Sequence, residues 1–72
     1  MILYKMTRVQ LSIIQHLAKR GHAMDSRSIA HELGMRYISV LTIENLFDRE
    51  YIRSTDQGWL ITDAGRLRAA GV

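Results

Sequence analysis

Apolar residues recur at helical spacing through the first part of the chain. At roughly 100° per residue, Val9, Leu11, Ile13, Ile14, Leu17 and Ala18 spread over a wide arc, with Ser12, Gln15 and Lys19 outside it. So broad a stripe predicts a helix covered on more than one side. Thr7 is an acceptable N-cap for it and Gly21 a natural stop, and Lys19 and Arg20 suit the negative end of the helix dipole. A short second helix follows, capped by Asp25 or Ser26, with Ile29, Ala30 and Leu33 on its buried side and Gly34 at its end. A third is expected over roughly Arg36–Arg49. Helix, tight glycine turn and helix is a helix-turn-helix arrangement, and the small Ala30 suits two helices crossing steeply.

Beyond Glu50 the apolar period changes from about 3.6 to about 2. Tyr51–Ser54 and Trp59–Thr62 are rich in β-branched and aromatic residues, and Thr55–Gly58 between them is turn chemistry, so a β-hairpin is expected. His22–Met24 is long enough for a third short strand beside it. Thr62 or Asp63 then caps a last helix over Ala64–Ala70, closed by Gly71. Ahead of the first helix, Ile2–Tyr4 fits a short strand, extra helix or a dimer contact. The expected fold class is α+β: three helices, a small antiparallel hairpin and a short C-terminal helix, in one domain spanning residues 1–72.

Composition narrows the function classes. Seventy-two residues lie near the lower limit for a single unstapled core, and with no cysteine there is neither a disulfide framework nor a thiolate metal centre. An apolar fraction of 47% with 24% charged residues describes a globular chain. No apolar run approaches the roughly 18–20 residues of a membrane span. Met1–Met6 does not read as a signal peptide, so a cytoplasmic location with no membrane partner is expected. The net charge of +3 is compatible with a polyanionic partner, but it is unevenly placed. Residues 1–36 hold six bases against two acids, or +4; residues 37–72 hold four against five, or −1.

Three short motifs carry a family resemblance. "SIAHELGM" resembles a Leu-Ala-x-x-Leu-Gly-hydrophobic second helix, "ENLFDREYI" a Leu-x-x-x-Gly-Leu-Ile passage into a wing, and "LITDAGRL" a Leu-Thr-x-x-Gly close. In that order they are similar to the DNA-binding part of MarR-type (multiple antibiotic resistance regulator) and related winged helix-turn-helix families. The likeness covers about forty of the 72 residues, from Ser26 to Gly65. It implies a winged-helix fold, with the third helix in the DNA major groove and the hairpin as the wing. Two departures stand out. Glu50 occupies the usual glycine position, costing roughly 1 kcal/mol if φ stays positive. The 72 residues leave room for only Met1–Met6 and Ala64–Val72 where such regulators carry the long flanking helices through which they dimerise.

On a helical wheel, the third helix places Ser39, Val40, Ile43, Leu46 and Phe47 on a core arc, with Arg36 at its N-terminal end. Tyr37, Ile38, Leu41, Thr42, Asn45, Asp48 and Arg49 fall on the opposite arc. For a groove-reading helix, Asn45 matches adenine, Arg49 guanine or phosphate, Thr42 a base or backbone oxygen, and Tyr37 a phosphate. Arg27 and Ser28, opening the second helix, suit a phosphate at a helix N-terminus. Arg53, Thr55 and Gln57 lie at or beside the wing tip, within reach of the backbone or minor groove. Trp59 shares a facing with Ile61 and is expected to pack inward. These expectations describe a small repressor, accessory or excisionase-like factor on double-stranded DNA, bound as a homodimer or cooperatively because one copy covers half a site. The alternative is a phage- or plasmid-type modulator that docks on a protein partner through Tyr37, Ile38 and Leu41, an apolar face that otherwise belongs to the core, a dimer contact or a contact with thymine methyl groups.

Catalysis is not expected. His31-Glu32 begins like a His-Glu-x-x-His zinc motif, but Met35 stands where the second histidine is needed. His16 and His22 have no partner at ligand spacing, and neither a phosphate-binding glycine loop nor a nucleophile elbow occurs. No cofactor or metal site is expected.

Overall fold

The computed structural model describes residues 6–71, and its elements begin and end where local capping chemistry is strongest. Helix α1 spans Arg8–Arg20. The Thr7 N–H donates to Gln10 Oε1 at 3.0 Å, and the Gln10 N–H donates to Thr7 Oγ1 at 3.1 Å. This reciprocal capping satisfies donors that a helix end would otherwise leave orphaned. Gly21, in the left-handed conformation, closes α1. Helix α2 covers Ser26–Glu32 behind an Asp25 cap, and helix α3 covers Val40–Asp48 behind a Ser39 cap. Strands β1 (Ile52–Thr55) and β2 (Gly58–Ile61) form the hairpin, and helix α4 covers Asp63–Ala69 behind a Thr62 cap. The molecule is α+β, with four helices and one two-stranded antiparallel sheet among the described residues. The expected Ile2–Tyr4 element lies outside them.

The buried face of α1 is the centre of the core. Ile13, Ile14 and Leu17 are fully buried, joined by Ile29 of α2, Ile43 and Leu46 of α3, Ile52 of β1 and Ile61 of β2. α1 packs against α2, α3, α4 and β2, which is why its apolar stripe is so wide. In the hairpin Ile52 faces Ile61, Arg53 faces Leu60, Ser54 faces Trp59 and Thr55 faces Gly58. The turn is tighter than the sequence suggested, because Thr55 and Gly58 themselves pair. The expected third strand contracts to one bridge, in which Met24 and Trp59 exchange backbone hydrogen bonds of 2.7 and 3.0 Å.

The third helix departs from the expected boundaries. It starts at Val40, and residues 36–39 lead into it in non-helical backbone. Ile38 therefore leaves the helical wheel and turns inward, at 9% exposure, as a core residue. The expected Tyr37–Ile38–Leu41 surface loses its middle member for that reason. Val40 and Phe47, expected in the core, are 72% and 47% exposed. Ile38 lines one groove with Val40, Ile43 and Trp59.

Two helix ends show the same turn built from different residues. At α2, the Met35 N–H donates to the Ala30 carbonyl and the Gly34 N–H to that of His31, with Gly34 at φ 73°. At α3, the Tyr51 N–H donates to Leu46 and the Glu50 N–H to Phe47, with Glu50 at φ 62°. This is the Schellman pattern. The chain keeps the left-handed turn at Glu50 although a side chain there clashes with its own backbone.

The corner after α3 also explains Gly65. The Thr62 N–H donates to the Tyr51 carbonyl, its hydroxyl donates to the Glu50 carbonyl, and the same oxygen accepts from the Gly65 N–H. The first turn of α4 is thereby drawn onto Tyr51. A Cβ at position 65 would lie 2.1 Å from the Tyr51 carbonyl oxygen and 2.7 Å from Ile61 Cγ1. The Thr-x-x-Gly spacing sets the capping hydroxyl and the position without a Cβ together at this contact.

Candidate nucleic-acid interface

With Ile43 and Leu46 buried, the outward side of α3 presents Leu41, Glu44, Asn45 and Asp48, with Val40 at its leading edge. Leu41 is 66% exposed. The helix itself contains two acids and no lysine or arginine. Bases stand at its two ends instead. At the leading end, Arg27, Arg36 and Tyr37 line a shallow groove with Ser26. At the trailing end, Arg49 caps the helix and Arg53 projects from β1 beside Phe47, Asp48 and Glu50.

Arg27, Arg36, Tyr37, Asn45, Arg49, Arg53 and Gln57 are exposed. Three expected contacts are differently placed. Thr42 is half-buried in a groove with Thr7, Val9 and Met35, facing the start of α1, because the buried side of α3 is rotated toward it. The Thr55 hydroxyl is engaged in the turn: it donates to the Gly58 carbonyl at 2.8 Å and accepts from the Gln57 N–H at 3.1 Å. At the start of α2, the Ser28 N–H donates to Asp25 Oδ1 at 2.7 Å, so a carboxylate occupies the place expected for a phosphate. The Ser28 backbone and hydroxyl hold the Asp25 carboxyl below its ordinary value.

The wing is braced from behind. Trp59 meets Phe47 edge to face, with ring centroids 5.8 Å apart, and the same residue carries the bridge to Met24. A second brace ties α1 to α2. His16 Nε2 donates to Glu32 Oε1 at 2.6 Å, and Arg20 Nε lies 3.1 Å from the same oxygen. The His16 hydrogen bond, with the Arg20 charge beside it, holds the Glu32 carboxyl below its ordinary value. Sequence spacing does not reveal this pair, whose members are sixteen positions apart on different helices. The exposure of Val40 was equally hidden; Ser39, a strong N-cap type directly ahead of it, was the available signal.

Among the described residues no group of three or more His, Cys, Asp or Glu side chains is placed to hold a metal ion, and no helix is long and apolar enough to cross a membrane. No family model, curated protein or solved structure matches the chain.

Proposed function

We propose that this chain is a winged-helix DNA-binding domain, in which α3 enters the major groove and the β1–β2 hairpin is the wing. The observation that carries the reading is the bracketing of α3 by bases. Arg27 and Arg36 stand at one end, Arg49 and Arg53 at the other, around a helix of nine residues. Nine residues span about 13 Å, close to the major groove width of about 12 Å. A helix lying across the groove floor thus brings a basic group to each phosphate backbone; Glu44 stays over the floor, and Asp48 at the trailing end is offset by Arg49 and Arg53. One such helix reads a half-site, so binding as a homodimer or cooperative array supplies the affinity of a repressor, accessory or excisionase-like factor.

The test is titration of labelled duplex at two salt concentrations, with wild type and an Arg36→Gln/Arg53→Gln variant. Wild-type affinity is expected to fall steeply with salt, and the variant's log–log slope to be shallower by about 2, one for each phosphate contact removed. Binding no tighter than about 100 μM at low salt overturns the proposal, because non-specific DNA binders ordinarily do better. A second reading then takes over: a protein-docking domain of the phage- or plasmid-type modulator class, favoured by Tyr37, Val40 and Leu41 at 73%, 72% and 66% exposure.

A further inference from the structure

We infer that α3 reads its site mainly through thymine methyl groups and adenine or cytosine amino groups, with no guanine contact from the helix face; this rests on the DNA-binding reading above. The commonest specific contact in the major groove is an arginine or lysine on the two acceptors of guanine. The outward side of α3 carries neither residue between Val40 and Asp48. It offers two branched apolar side chains, Val40 and Leu41, both mostly exposed, followed one turn on by Glu44 and Asn45, with Asp48 at its trailing end.

Each of these has a defined complement. Branched side chains lose apolar surface to water most effectively against the C5-methyl of thymine, the one apolar group on the groove floor. The Glu44 carboxylate only accepts hydrogen bonds, so guanine N7 and O6 and thymine O4, all acceptors, repel it. The donors it can meet are the cytosine N4 and adenine N6 amino groups. Asn45 both donates and accepts, matching the paired N7 acceptor and N6 donor of adenine. Leu41 and Asn45 are four residues apart on one side of the helix, so a thymine methyl and an adenine fall within one reading frame. The preferred half-site is accordingly rich in A·T pairs, with cytosine or adenine under Glu44.

Selection from a randomised duplex pool with the full chain yields the site, and replacing each of its thymines by deoxyuridine removes the methyl and nothing else. Deoxyuridine at the contacted positions is expected to weaken wild-type binding about 3- to 5-fold per methyl and to leave a Val40→Ala/Leu41→Ala variant nearly indifferent. The substitution also separates methyl contact from the bendability of A·T-rich DNA as a source of preference. Glu44→Gln is expected to relax the preference for cytosine or adenine at one position. Selected sites that centre on guanine contacts, or thymines replaceable without loss, overturn this inference while the DNA-binding reading stands. Absence of binding to any duplex overturns both.

Discussion

Replacing Glu50 by glycine should stabilise the protein. Glu50 sits at φ 62°, where a side chain costs roughly 1–2 kcal/mol relative to glycine through contact with its own backbone. Glycine also gains freedom in the unfolded chain, which returns about 0.4–1 kcal/mol. The difference is a net gain of about 0.5–1 kcal/mol, or a rise in Tm of about 3–6 °C for a domain of this size. Nothing else is lost, because the interactions of the turn run through backbone atoms: the Glu50 N–H donates to Phe47, and its carbonyl accepts from Thr62. Thermal unfolding followed by circular dichroism measures the shift, with Glu50→Ala as the control that removes charge but keeps Cβ. If alanine stabilises as much as glycine, relief of charge repulsion near Asp48 is responsible and the backbone argument fails. A fall in Tm with glycine refutes it outright.

Gly65→Ala should destabilise by about 1–3 kcal/mol, since a Cβ must displace the Tyr51 carbonyl or Ile61; an unchanged urea midpoint would show that α4 does not depend on this contact. Ile38→Ala should cost about 2–4 kcal/mol, whereas Leu41→Ala should stay within about 0.5 kcal/mol. Equal effects in denaturant titration would mean that the helix begins ahead of Ile38 after all. For pH, Asp25 and Glu32 are held below their ordinary values of 3.8 and 4.5 by hydrogen bonds from Ser28 and His16 respectively. A depressed carboxyl stabilises the fold above its ordinary value and loses that contribution as pH falls through the folded one. Tm should therefore drop as the solution is acidified below about pH 5, and an Asp25→Asn/Glu32→Gln variant should show a flatter curve. Parallel curves for variant and wild type would remove both groups from the account.

The elements with strong local chemistry were legible in order along the chain. Thr7, Asp25 and Thr62 cap their helices as their residue types require, and Gly21 and Gly34 stop theirs. The hairpin followed from alternation and turn residues. Periodicity alone starts the third helix too early, because an apolar run with helical spacing, Ile38 to Leu46, contains both its lead-in and its first turns. A helical wheel assumes that every residue on it is helical, and Ile38 is not. The candidate site is where wheel and structure differ most, since Thr42 and Ile38 turn inward while Val40 and Phe47 turn out.

Hydrophobic period and capping residues thus suffice to specify four helices and a hairpin, because both act over three or four neighbouring positions. They also place bases and acids along the chain. Which side of α3 faces outward is decided by packing: Ile43 and Leu46 join the core formed with Ile13, Ile14 and Leu17 of α1. The positive φ at Glu50 and the approach of α4 to Tyr51 have the same origin. Both are settled where α3, β1 and α4 converge, by contacts between segments that local sequence spacing does not encode.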